Sequence, residues 1–289
     1  MRLPGSKKQK SEKVSKKEPL KYRIIRAAAY LICASIVFSI FWAIMTHEKQ
    51  VDIRKKKEIV QRCYETMYIA NGYTLSYTIE CSYLVKYSNG TAGTVSMAYQ
   101  AQEEIDQYNQ KKKITLISVG RVMDSDIYNH QVLYYEGGNL ITEEYDDVGE
   151  LVSSKTEPME ISFDYNPMLT FASMVLDKPG EFRLKNEGKT IKGSISLKDI
   201  SSFLNLFPYS ALFSGVENNK YYTDEVNSIT ITNNNGFFTS AVINLKNIAA
   251  SLVGPFYSEA GAAVEVNQYT ITLNMVSWET PTIEIPKGE

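Results

Sequence analysis

YTLSYTIECSYLVKY, residues 73–87, alternates between apolar and polar side chains with one exception, Leu84. Tyr73, Leu75, Tyr77, Ile79, Cys81, Tyr83, Val85 and Tyr87 share one parity, and Thr74, Ser76, Thr78, Glu80, Ser82 and Lys86 the other. Period 2 is the mark of a β-strand with one buried face. Burying one such side chain fully is worth about 1.5–3 kcal/mol, so a row left exposed would be a large loss. Something must cover this face. The candidates are a helix carrying Cys63 and Met67, or the apolar segment around Phe203 and Phe207. A tyrosine ring packs well, but its hydroxyl needs a partner when buried. Leu75 and Ile79 are therefore expected to lie deep, with Tyr73 and Tyr87 at the rims.

Upstream, residues 51–72 are helical in pattern. Val60, Cys63, Tyr64, Met67 and Tyr68 form a stripe at i, i+3, i+4, i+7, i+8, and Asn71-Gly72 ends it. Cys63 then lies on an apolar helix stripe and Cys81 on an apolar strand face. Packed together they are candidates for a disulfide, which persists outside the cytoplasm. The alternative is two small buried residues that never touch, and spacing alone does not decide between them.

Downstream, the chain reads as strands joined by turn residues. Ser88-Asn89-Gly90 leads to a strand near 92–100, and the polar stretch 101–113 is ambiguous. Segments 113–123, 127–136, 139–146 and 150–157 form a meander, joined by Asp-Ser-Asp, Gly-Gly-Asn and Asp-Asp-Val-Gly turns. Residues 163–177 change period to a helix, with Asn166 as cap and Pro167 in the first turn. EFRLKNEG and KTIKGSISL form a hairpin. Ser196 and Asp199 have capping-box spacing ahead of Ile200, Phe203, Leu204 and Phe207. SITITNNNGFFTSAVINL is a hairpin with Asn235-Gly236 at its tip. Residues 246–255 are a short helix or a strand, and 265–278 the last strand. The expected fold is α+β: an antiparallel sheet of roughly eight to eleven strands with about three helices on one face.

Charge and hydropathy place this body in a cell. Residues 1–26 carry ten Lys or Arg against two Glu, a net of +8, which leaves −10 for the rest of a chain whose total is −2. The asymmetry reads as two compartments and not as nucleic-acid binding. AAAYLICASIVFSIFWAIM, residues 27–45, contains no charge. As a helix it is roughly 28 Å long, close to the thickness of bilayer hydrocarbon, and Tyr30 and Trp42 lie near its ends. A cleaved signal peptide is the competing reading. The run exceeds a usual signal core, and no A-x-A-like site follows. Basic residues are more numerous before the run than after it, which favours a cytoplasmic N-terminus. The expected domains are a basic disordered tail (1–26), a membrane helix (27–45) and an extracytoplasmic β-rich domain (46–289).

The leading helix into a long strand, the meander, the late hairpin SITITNNNGFFTSAVINL and the closing TIEIPKGE together make residues 52–287 resemble the lipoprotein-localisation (LolA/LppX-like) family. The resemblance implies a strongly curved, half-barrel sheet with helices in its hollow. It also implies a hydrophobic-ligand lining at Leu75, Tyr77, Ile79, Tyr83, Phe203, Leu204, Phe207, Leu212 and Phe213. This chain departs from the family in carrying a membrane helix in place of a lipid anchor, and a tethered protein does not shuttle cargo across a compartment.

Catalytic signatures are absent from the sequence. His47 abuts the apolar run, and His130 sits mid-strand with no second ligand at metal spacing. H-E-x-x-H, paired C-x-x-C, G-x-S-x-G, Walker A and G-x-G-x-x-G do not occur. The acidic run Glu143, Glu144, Asp146, Asp147 and Glu150 lacks EF-hand spacing and reads as a solvated hairpin. No cofactor and no metal are expected. The sequence predicts a non-enzymatic protein held at the membrane by residues 27–45. It either binds a lipid-like ligand in the hollow or, with a packed core, binds a partner in a cell-envelope assembly.

Overall fold

The computed structural model describes residues 20–160, 163, 166–196, 226–234, 236–247, 249–250, 258 and 261–286. The expected basic tail, the helix at 196–207, most of 248–257 and the lining residues Phe203, Leu204, Phe207, Leu212 and Phe213 lie largely or wholly outside them. The chain divides into two compact units, Met1–Asp52 and Ile53–Glu289.

Helix α1 spans Leu20–Tyr68 without interruption. The sequence reading expected two helices, and the structure joins them. No glycine or proline stands between Met45 and Val51, and Thr46 Oγ1 donates back to the Trp42 carbonyl at 2.9 Å without breaking the turn. Among the described residues α1 is long and apolar enough to cross a membrane, and none of its apolar window is buried in protein.

The second unit is built on an open antiparallel sheet with eleven strands among the described residues. In chain order these are β1 (Gly72–Tyr87), β2 (Ala92–Asp106), β3 (Lys111–Val122), β4 (Ser125–Glu136), β5 (Asn139–Tyr145), β6 (Leu151–Pro158), β7 (Phe182–Lys185), β8 (Thr190–Ser196), β9 (Val226–Asn234), β10 (Phe237–Asn244) and β11 (Ala262–Ser277). Helix α2 (Pro167–Asp177) lies between β6 and β7 in sequence. The spatial order is β6-β5-β4-β3-β2-β1-β11-β10-β9-β8-β7. Two meanders are thus joined by one long-range pairing, β1 with β11, and the opening strand sits at the centre of the sheet.

The stretch 101–113 is strand, turn, strand. Its polarity concealed the alternation: Ala101, Glu103 and Ile105 turn inward, and Glu103 answers Lys112 on β3 at 2.5 Å. A tight turn held by Asp106, which accepts from the Asn109 backbone N–H (3.0 Å) and side-chain amide (2.7 Å), joins the strands. Asn166 caps α2 as expected, its Oδ1 accepting from the Met168 N–H at 2.9 Å, with Pro167 in the first turn. Gly236 takes φ +86 in the β9–β10 turn, a conformation a β-branched residue resists.

The core forms on the inward face of the sheet. Val60, Cys63 and Met67 of α1 and Met168, Phe171, Ala172 and Val175 of α2 join the inward residues of β1, β2, β8, β9, β10 and β11 in one apolar cluster. Lys56, only 3% exposed, fastens α1 to the turn after α2, its ammonium donating to the Pro179 (2.8 Å) and Phe182 (2.5 Å) carbonyls. Hydrogen-bonding of this kind is what permits a buried lysine.

Candidate functional site

Two faces of the central sheet are candidates for a site, and the register of the strands separates them. On the inward face Tyr77 lies between Ala101 and Leu273, Ile79 between Tyr99 and Ile271, Cys81 between Met97 and Tyr269, and Tyr83 between Val95 and Val266. Leu75 is 0%, Ile79 1% and Tyr77 2% exposed, and Tyr83 is half-buried. Large residues lean over small ones here. A Cβ on Gly120 would meet Met97 Sδ at 2.4 Å, and one on Gly193 would meet the Phe182 ring at 2.2 Å. The expectation that Tyr73 lines a rim is corrected: it is 1% exposed and stands 6.3 Å, ring to ring, from Trp278. Strand β1 continues into the core at this end because α1 turns directly into it. Tyr87, at the other end, is half-buried. Of the expected lining, Leu75, Tyr77, Ile79 and Tyr83 share this face; the other five residues are not among those described.

Cys63 and Cys81 are both buried free thiols. Cys63 Sγ faces Asn233 Oδ1 at 3.4 Å, near the end of β9 that is level with the start of β1. Cys81 lies several residues along β1 from that level, and three strands away. At about 3.3 Å per residue and 4.8 Å per strand the separation is on the order of 20 Å, far beyond disulfide reach. The candidate bond is not made. Burial pushes both thiols up from 9.0 to about 11, so neither is an activated nucleophile.

The opposite face carries the even-numbered residues of β1. Its side chains form two cross-strand rows. One reads Thr232, Ser240, Asn274, Ser76, Gln102, Thr115, Val132, Glu143 from β9 to β5, and the other Thr230, Val242, Thr272, Thr78, Gln100, Ile117, His130, Tyr145. An open depression of about 470 Å³ lies at their middle, lined by Ser76, Thr78, Gln100, Gln102, Thr115 and Ile117. A second, of about 390 Å³, follows along the strands beside Glu80, Ser82, Ser96, Ala98 and Gln268.

At the β4–β5 end of the rows the side chains are organised. The His130 and Tyr145 rings stack at 4.9 Å between centroids. Tyr145 donates to Glu143 Oε2 at 2.6 Å, and that bond, above all, pushes the phenol up to about 12. Burial and then Glu143 also raise Tyr134. Glu143 is 6% exposed, unlike the rest of the acidic hairpin, where Asp146 instead caps its own turn by accepting from the Val148 and Glu150 N–H groups. Among the described residues no group of three His, Cys, Asp or Glu side chains is placed to hold a metal ion.

The sequence reading singled out the inward parity of β1 and passed over the outward one. The signal for the outward rows was present in Ser76, Thr78, Gln100 and Gln102, but cross-strand register is needed to see that they adjoin.

No family model matches the chain, and no curated protein matches it. Among solved structures it is similar to a β-barrel-like protein of a domain of unknown function, DUF1849, from Brucella abortus, at 7% identity and a TM-score of 0.23, covering 71% of this chain and 96% of that one.

Proposed function

We propose that this chain is a membrane-tethered, non-enzymatic interaction protein of the cell envelope. Its N-terminus is cytoplasmic, residues 46–289 are outside, and recognition takes place on the outer surfaces of the sheet. The observation that carries this reading is the burial of Leu75, Tyr77 and Ile79 in one apolar cluster with residues of α1, α2 and the neighbouring strands. A face buried to this extent acts as core. A lipid-like ligand against the same residues competes with Val60, Cys63 and Met67 of α1 and Phe171 and Val175 of α2, which share the buried cluster with them. The apolar window of α1 supports the tether, and the basic excess before it supports the orientation.

Native mass spectrometry of the full chain released from detergent tests the proposal. The expected spectrum holds the protein mass alone. A stoichiometric lipid adduct that survives removal of the detergent and is held by the β-rich unit, remaining after proteolytic release of α1's apolar stretch, overturns it.

A further inference from the structure

We infer that the outward face of the central sheet is a binding site for a neutral, elongated glycan, centred on Ser76, Thr78, Gln100 and Gln102 and ending at the His130–Tyr145 stack. The inference deepens the interaction reading and rests on it only in placing recognition outside the core.

Four features select the ligand. First, the middle of the face has no charge. The charged groups nearest it have partners within the face, Glu104 with Lys113 at 3.6 Å, Glu80 with Gln268 at 2.7 Å and Arg121 with Asp126 at 3.8 Å, whereas the exposed Lys192, opposite Thr230, and Arg183, opposite Lys192, stand at the far β7–β8 edge. Glu143 accepts from Tyr145. At the middle of the face a polyanion meets no unpaired positive charge, and nucleic acid binding depends on such charge. Second, the middle is rich in groups that both donate and accept. Gln100 and Gln102 present exposed amides, and Ser76, Thr78 and Thr115 present hydroxyls beside them. Sugar hydroxyls need that pairing. Third, the apolar centre of a protein interface is missing. Such centres hold Trp, Tyr or Arg anchors in dry pockets, whereas the depression here contains one aliphatic residue, Ile117, that projects onto this face. Fourth, an aromatic pair closes one end. His130 is directly opposite Ile117, next to the depression, and its stack with Tyr145 is a platform for the C–H face of a pyranose, an amphipathic role that aromatic rings with a polar end fill well. The rows cross eight strands, so they extend roughly 30 Å perpendicular to them. A polymer fits that length better than a single sugar does.

The test is retention of the full chain, in a detergent without a sugar headgroup, on insoluble chitin and cellulose, followed by calorimetric titration with chitohexaose and cellohexaose. Wild-type protein should be retained on at least one polymer, equally at low and high salt, because the middle of the face carries no charge. Gln100→Ala/Gln102→Ala changes two exposed side chains, and His130→Ala removes the stacking partner of Tyr145. Each should weaken hexasaccharide binding about tenfold while leaving the thermal midpoint within a few degrees of wild type. No retention of wild type on either polymer, retention abolished by salt, or variants that bind as wild type overturn the site. Loss of a cross-linked protein partner in the double variant, with no glycan retention, assigns the face to a protein and also overturns it. A lipid adduct in the mass spectrum counts against the core reading alone, since glycan retention is read independently.

Discussion

Replacing Ile79 by alanine separates a packed face from a vacant one. Ile79 is 1% exposed and lies on the central strand between Tyr99 of β2 and Ile271 of β11, which is itself fully buried. In a filled core the change removes the transfer energy of the lost carbons and leaves a cavity, at a cost of about 2–5 kcal/mol. Ile79→Val, which removes one methyl group, should cost about 0.5–1.5 kcal/mol. For a domain of this size each kcal/mol moves the thermal midpoint by about 2–4 °C. A mid-range loss of about 3 kcal/mol for alanine therefore lowers it by roughly 6–12 °C. Thermal unfolding of the full chain in detergent, followed by near-ultraviolet circular dichroism, reports the aromatic core directly. If Ile79 lined an open hollow, no new cavity would form, and its loss would approach the burial energy of a few carbons already beside a void. An alanine variant within about 1 kcal/mol of wild type, with valine indistinguishable, would refute the reasoning.

Other positions give independent checks. Gly193→Ala places a Cβ 2.2 Å from the Phe182 ring and should destabilise by about 1–3 kcal/mol, measured by guanidinium unfolding. Gly236→Val, at φ +86, should cost about 1 kcal/mol or more by the same assay, and a neutral result would remove the turn. Lys56→Ala strands two backbone carbonyls and should cost about 1–3 kcal/mol, read as faster proteolysis near Pro179–Phe182. The unfolded chain releases the Cys63 and Cys81 protons near pH 9.0, whereas the folded chain holds them to about 11. Stability should therefore fall as pH rises across that window and be insensitive to these thiols below it, as denaturant midpoints at pH 8, 9 and 10 would show.

Much of the sheet was legible because each strand of the meander carries its own period and its own turn. Asn166-Pro167 marked α2, Ser88-Asn89-Gly90 marked the first hairpin, and Gly236 marked the last. What local pattern does not carry is pairing between distant segments. The central partnership of β1 with β11, which brings Thr78 beside Thr272 and Ile79 beside Ile271, joins residues some two hundred positions apart. Without it the outward rows cannot be assembled, and Cys63 cannot be placed near Asn233 rather than Cys81. The polar stretch 101–113 was obscure for a related reason. Glu103 occupies an inward position that only its ion pair with Lys112, on the next strand, makes tolerable. The fusion of the two expected helices into α1 has a local cause, the absence of any breaker in THEKQ.

The central claim is that the inward face of the sheet is core and not a lipid berth. Photo-crosslinking with a diazirine-bearing fatty acid in membranes holding the full chain, followed by peptide mapping, addresses it residue by residue. The account predicts adducts confined to the apolar stretch of α1 around Ala28–Met45. Adducts on Leu75, Tyr77 or Ile79 would contradict it.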